Sequence, residues 1–402
     1  IPSVRPKANW MRIAQVAPLY ESVPPRLYGG TERVVSYLTE ELVRQGHHVT
    51  LFASGDSQTH AQLLACCPGS LRLDSGCVDS LAHHFLMLER VFRAANDFDF
   101  VHFHVDYLHF PLSRRSSLPH VTTLHGRLDL PDLVPLYREF DDEPVVSISY
   151  NQRKPLSWIN WMGTVYHGLP LGQYALHEQS GQYLAFLGRI SPEKRVDRAI
   201  EIATRAGVPF KIAAKVDKAD RDYHDSVIRP LLDNPLVEFI GEIAEHEKDA
   251  FLGNALALLF PIDWPEPFGL AMIESMAYGT PVIAFPCGSV PEVVDPGVTG
   301  FIVNSVDDAV QAVHSIAQLD RAACRRCAER RFSAERMARK YLAIYQRLLA
   351  AKPAPARIAE PGPLPAPTLI PHNSETVPSQ GDSWPTTASA SKTNITFRPE
   401  PR

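Results

Sequence analysis

The feature that most constrains this chain is an alternation of apolar strands and amphipathic helices that runs once, stops, and begins again. "MRIAQVA", from Met11, reads as a buried strand. A Pro-rich loop, "PLYESVPPRLYGG", leads into "TERVVSYLTEELVRQG", where Val34, Val35, Leu38 and Leu42 share one face and Gly46 supplies the stop. "HHVTLFA" is a second strand, so strand, helix and strand follow at the spacing of a βαβ unit. Further short strands are expected at 98–104, 120–125, 144–149 and 163–168. The pattern restarts at "YLAFLG" (183–188). From there helices in "EKRVDRAIEIATRAG", "HEKDAFLGN" and "FGLAMIESMAYG" alternate with strands in "PFKIAAK", "LVEFIGE", "ALALLFP" and "PVIAFP". Two such series predict an α/β chain of two doubly wound, Rossmann-like domains, 11–168 and 169–332, facing a cleft.

What flanks them is read from composition. Residues 1–10 form an extension without the apolar segment of a signal peptide. "SAERMARKYLAIYQRLLA" (333–350) is one more amphipathic helix. From 351 to 402 the chain is rich in Pro, Ser and Thr and is expected to be disordered. At 402 residues the chain is too long for one ordinary core. A net charge of −5 offers no basic field for nucleic acid. No apolar run reaches the roughly 18–20 residues of a membrane span, which leaves peripheral contact with a membrane open but unsupported. Six scattered cysteines fit a reducing cytoplasm better than a disulfide framework. Cys324 and Cys327 make a C-x-x-C without a second pair, so they read as ordinary helix residues. His102 and His104 alternate on one strand but lack a third ligand at a recognised spacing, and no metal or other cofactor is expected.

Ligands of doubly wound sheets sit beyond the carboxyl ends of the strands. Four stretches carry chemistry there. In "WPEPFGLAMIESMAYG", Pro267 suits a helix start, and the free amides of Phe268, Gly269 and Leu270 can take a phosphate or a sugar hydroxyl. Glu266 precedes those amides, and Glu274 lies over a turn further on, where a carboxylate can hold the vicinal hydroxyls of a ribose. In "FLGRISPEKRVDRAI", Arg189 and Lys194 flank a helix start and can clamp a diphosphate. In "PRLYGGTERVV", Gly29 and Gly30 open a helix but form no dinucleotide fingerprint. In "VTTLHGRLD", His125 ends a strand facing the cleft. Each has a plain alternative when read alone: a helix-terminal acid and a surface acid, a solvated pair of cations, a turn, a structural histidine.

Together these residues carry a resemblance. From Met11 to about Ala350 the chain resembles the family 4 glycosyltransferases of the GT-B fold. The residues that do so are the E-x7-E of "EPFGLAMIE", "GRISPEK", "YGGTE", "TLHG", "GTPVIA" and "GSVPEVVDPGVTGFIV". The resemblance implies a retaining hexosyltransferase that uses a nucleotide-sugar, with UDP-glucose suggested by a bacterial branch sharing "IDWPEPFGL". It implies that Glu266 with Phe268, Gly269 and Leu270 holds the sugar, Glu274 the ribose, and Arg189 and Lys194 the diphosphate. Gly29 and Gly30 would help across the cleft, Ile243 would lie at the base, and His125 would contact the sugar. The acceptor would enter past Tyr28, Glu32, His104 and Asp106, and the helix 333–350 would cross back onto the first domain. The rival of another class is an idle GT-B scaffold that binds a nucleotide-sugar or a protein. A nicotinamide dehydrogenase lacks its glycine fingerprint here, and a phosphorylase lacks an assignable pyridoxal-phosphate lysine.

Overall fold

The computed structural model of the chain describes residues 10–179 and 181–351. Most of the expected extension (1–10) and tail (351–402) lies outside the described residues.

Seven strands form the first sheet: β1 (Arg12–Val16), β2 (His48–Ser54), β3 (Gln62–Cys67), β4 (Phe100–Phe103), β5 (His120–Thr123), β6 (Val145–Ser147) and β7 (Trp161–Thr164). Six form the second: β8 (Tyr183–Ile190), β9 (Phe210–Val216), β10 (Val237–Gly241), β11 (Ala255–Phe260), β12 (Val282–Ala284) and β13 (Gly300–Ile302). The orders are β3-β2-β1-β4-β5-β6-β7 and β10-β9-β8-β11-β12-β13. Every pairing is parallel. Helices cover both faces of such sheets, so central strands read as unbroken apolar runs. β1 shows this, with Ile13, Ala14 and Val16 fully buried. Each sheet reverses its winding beside its first strand, between β1 and β4 and between β8 and β11. Those switch points are where a crevice opens.

The last helix, Ala334–Ala350, is capped by the Ser333 side chain, which accepts from Arg336 N. Its Met337, Tyr341, Ile344 and Tyr345 are packed with Ile13, Val34, Leu38, Phe100 and Val121 of the first sheet's core. Among the described residues no helix is long and apolar enough to cross a membrane, and all six cysteines are free. Cys324 and Cys327 are buried in the helix Arg321–Arg331, and burial pushes the Cys324 thiol up to about 12.

Several local expectations shift. The strand expected at 163–168 lies at Trp161–Thr164 instead. Residues beyond it leave the sheet because Leu169 pairs with the start of the last helix, its amide donating to Phe332 O at 2.8 Å and its carbonyl accepting from Ala334 N at 2.8 Å. β8 runs on to Ile190, so Arg189 is still in the strand. Lys194 ends a short 3-10 turn, Pro192–Lys194, and the helix Val196–Ala206 starts only after Arg195, a left-handed residue at φ 53°. Pro267 does not start its helix: that helix is Leu270–Ala277, capped by Gly269 at φ 81°. A Cβ on Gly269 would also press Met272 Cε at 2.7 Å, so only glycine fits this cap. β3, β13 and the helix Ser80–Arg93 were not anticipated. The two strands are short and carry little periodicity, whereas the helix is announced by its cap Asp79, which accepts from the amides of Leu81 and Ala82.

Candidate active site

The switch points face each other across a cavity of about 610 Å³, and every residue that the sequence assigned to the donor or acceptor side lines it. β8 and the 3-10 turn deliver Arg189 and Lys194, and the loop after β11 delivers Trp264 through Gly269. β4 and β5 lead into His104 and His125, and the first helix, Gly30–Arg44, brings Gly30 and Glu32.

The loop carrying Glu266 is fixed from behind. Ser289 N donates to Glu266 O at 2.9 Å, and Ser289 Oγ donates to Phe268 O at 2.7 Å. Gly288 sits at φ 58°, and a Cβ there would overlap the backbone N and O of Glu266. The "GSVPE" stretch is thus the mould for the Glu266 loop. Beyond it, Phe268, Gly269, Leu270 and Ala271 line the cavity at the start of the helix Leu270–Ala277, where the first amides lack an i−4 partner within the helix.

The two cations are not free, as a bare diphosphate clamp would have them. Lys194 Nζ donates to Glu266 Oε2, which also accepts from Trp264 Nε1 at 3.0 Å. The ammonium lies over the Trp264 ring at 5.1 Å and the Phe260 ring at 5.5 Å. Arg189 pairs with Glu193 at 2.6 Å, Asp220 at 3.4 Å and Asp217 at 3.6 Å. These acids pre-position both cations, and a bound anion must compete with them.

Glu274 is not a lone acceptor either. It is buried, and Oε1 accepts from Lys248 Nζ at 2.8 Å. Lys248 also pairs with Glu245 at 2.9 Å. Glu245 in turn binds Arg33 of the first domain and accepts from Tyr174 at 3.2 Å and Tyr37 at 3.4 Å.

On the other wall, a hydrogen-bond chain sets the histidine tautomers. Thr123 Oγ1 donates to Tyr341 at 2.9 Å, so it accepts from His102 Nε2 at 2.7 Å. His102 Nδ1 then accepts from the Tyr345 hydroxyl at 2.7 Å, which itself accepts from Gln15 Nε2 at 3.4 Å. Gln15 Oε1 accepts from His104 Nε2 at 2.8 Å, and His104 Nδ1 accepts from His125 Nε2 at 2.9 Å. Every ring in the chain is neutral: burial holds His102 and His104 well below the usual range and lowers His125 to about 3. His125 is therefore a hydrogen-bonding group here rather than a cation, and its buried Nδ1 has no protein partner among the described residues. Its loop is held by Gln152, whose Nε2 donates to Leu124 O at 2.9 Å and Gly126 O at 2.8 Å.

Asp106, at φ 48°, is raised to about 6 by burial. Burial raises Glu32 to about 7 from an ordinary 4.5. Between those two pH values the unfolded chain loses a proton that the folded chain keeps, so stability falls as pH rises through the window and levels off above 7. Glu32→Gln is therefore expected to stabilise the fold by about 2 kcal/mol at pH 8 and to change little near pH 4.5. Urea unfolding at both values checks this, and an equal effect at both would refute it.

Sequence reasoning missed His167, Lys248, Glu245, Arg33 and Trp264. His167 had a signal: "YHG" repeats the strand-end His-Gly of "LHG", and its ring stacks on His125 at 5.4 Å. His109, His120 and Glu143 have ligand atoms within 4.8 Å of one another. These groups satisfy each other and Ser113, with His120 Nε2 at 2.8 Å from Glu143 and Ser113 Oγ donating to Glu143 at 3.0 Å, away from the cleft.

Comparison with known proteins follows the two sheets. Residues 28–163 match the family model described as Glycosyltransferase Family 4, and residues 175–332 match Glycosyl transferases group 1. A D-inositol 3-phosphate glycosyltransferase of Frankia alni is 28% identical over 144 residues, 33% of this chain and 35% of that protein. An uncharacterized glycosyltransferase of Methanocaldococcus jannaschii is 23% identical over 344 residues, 73% of this chain and 85% of that one. The chain spans less than half the length of the first two curated relatives it matches. The crystal structure of Anabaena HepE in complex with UDP and glucose superposes with a TM-score of 0.66 at 18% identity, covering 84% of this chain and 100% of that chain. At that identity the likeness establishes the two-domain fold.

Proposed function

This chain belongs to the family 4 glycosyltransferases of the GT-B fold, and from that premise we propose that it moves a hexosyl group from a nucleotide-sugar, UDP-glucose foremost, to a hydroxyl acceptor on a small molecule or glycan, with retention at the anomeric carbon. The observation that carries the reading is the convergence of Arg189, Lys194, Glu266 and Glu274 on one wall of one cavity. These groups match an elongated ligand with a diphosphate between two polyhydroxylated ends. UDP-glucose is favoured because the Anabaena HepE structures hold UDP, glucose or UDP-glucose.

In this reading the bond from the anomeric carbon to the phosphate lengthens with oxocarbenium character. Arg189 and Lys194 stabilise the departing diphosphate, and no metal is invoked. The acceptor attacks from the same face and passes its proton to the leaving phosphate oxygen. Glu266 holds sugar hydroxyls rather than acting as a covalent nucleophile, in keeping with its engagement by Lys194 and Trp264. Neutral His125 bonds the sugar, and Tyr28, Glu32, His104 and Asp106 flank the acceptor's entry.

Calorimetric titration with UDP, GDP and ADP tests the donor site, using wild type beside Lys194→Ala and Glu274→Ala. One nucleotide is expected to bind, with binding lost in both variants. Folded wild type that binds none of the three would overturn the reading in favour of an idle scaffold.

A further inference from the structure

We propose that Lys248 is a specificity residue of the nucleotide site, forming with Glu274 an ammonium–carboxylate pair that reads both vicinal hydroxyls of a ribose. One hydroxyl donates to Glu274, and its neighbour accepts from Lys248. The inference rests on the nucleotide-sugar reading of the cleft and deepens it.

Lys248 opens the helix Lys248–Gly253 and turns its side chain into the cavity wall, where it is 8% exposed beside a Glu274 side chain that is 4% exposed. Its ammonium has three N–H donors. One meets Glu274 Oε1 at 2.8 Å and a second meets Glu245 Oε2 at 2.9 Å, which leaves the third for a ligand. Glu274 Oε2 has no side-chain donor among the described residues, so it remains to accept. A donor and an acceptor thus stand side by side on the wall of one cavity. That is the complement of two adjacent hydroxyls, each of which can donate or accept. A carboxylate alone would only accept, and Lys248 supplies the missing half.

The pair is also held rigidly. Glu245, which anchors Lys248, is gripped from the first domain by Arg33 and from its own side by Tyr174. Buried ion pairs add little net stability compared with well-packed apolar groups. A network of Arg33, Glu245, Lys248 and Glu274, of which all but Glu245 line the cavity, therefore calls for a reason other than stability, and holding a polar reader in one geometry is such a reason.

The test is calorimetric and uses the full chain. Wild type, Lys248→Met and Lys248→Gln are titrated with UDP, GDP and ADP, then with the 2′-deoxy and 3′-deoxy forms of whichever nucleotide binds. Wild type is expected to favour the ribonucleotide over each of the two deoxy forms by ~10-fold or more, as loss of a hydrogen bond to a charged group requires. Lys248→Met is expected to shrink one of the two ratios, that for the hydroxyl Lys248 holds, to within about 2-fold while its affinity for that deoxy form stays near the wild-type value. Lys248→Gln, which keeps a donor, should retain part of the ratio and serves if the methionine variant does not fold. Two undiminished ratios in the folded variants, or fewer than two in wild type that binds the nucleotide, overturn the inference alone. Failure of wild type to bind any of the three nucleotides overturns the reading beneath it as well.

Discussion

Lys194→Ala and Glu274→Ala are each expected to lower turnover at least ~100-fold, about 2.7 kcal/mol of barrier. The arguments differ. In the proposed reading Lys194 sits where charge builds on a leaving phosphate, so its loss raises the barrier as well as weakening donor binding. Its removal also leaves Glu266 with only the Trp264 indole as a side-chain donor, and the carboxylate that grips the sugar loses its position. Glu274 acts further from the reacting bond. Its removal strands Lys248 between one carboxylate and an empty space, and the donor loses its ribose anchor, which misplaces the anomeric carbon. Steady-state kinetics with a radiolabelled sugar donor separates the two, since both variants should raise the donor KM while Lys194→Ala should lower kcat the further. Near-normal turnover in both would sink the assignment of the cleft.

Arg321→Ala is expected to cost the fold about 3–5 kcal/mol while leaving the chemistry of any surviving folded protein near normal. Arg321 is 5% exposed and does not line the cavity, although its Nη2 also donates to Thr280 Oγ1 of the "GTPVIA" stretch. Its Nε donates to His177 O at 2.6 Å, Nη1 to Ala255 O at 2.8 Å and Nη2 to Gly253 O at 2.7 Å. It thereby ties the helix Arg321–Arg331 to the edge where β11 begins. Alanine removes every one of these donors at once and leaves the three carbonyls without the guanidinium's hydrogen bonds. Chemical denaturation measures this directly, and a loss below about 1 kcal/mol would show that water or relaxation replaces the guanidinium.

Much of the architecture is legible in local patterns. The two βα series, their restart near Tyr183 and the amphipathic helix at 334–350 all follow from apolar spacing, which burial in a parallel sheet and on a helix face imposes on a sequence. Part of the cavity lining was legible too, because strand ends followed by Gly, Pro and charged residues mark the edge where such sheets bind ligands, whereas Arg33, His167, Lys248 and Trp264 were not. Boundaries were less so. Pro267 looked like a helix start, but Gly269 in a left-handed conformation is the cap, because the loop before it is shaped by Gly288 and Ser289 from the next strand-end.

By itself, then, the amino-acid sequence determined the two-domain α/β class, the edge that carries the site and the residue types on it. Periodicity and turn chemistry are properties of neighbours along the chain. Only the tertiary structure decided who partners whom. That Lys194 meets Glu266, that Lys248 shares its charge between Glu274 and Glu245, and that Arg33 reaches across the cleft are facts about residues far apart in sequence. The same holds for the tautomer of His125, set by a chain that begins at Tyr341 and Tyr345 on the returning helix. Charge pairing and tautomer choice act over a few ångströms of space, and no spacing along a single sequence encodes that distance.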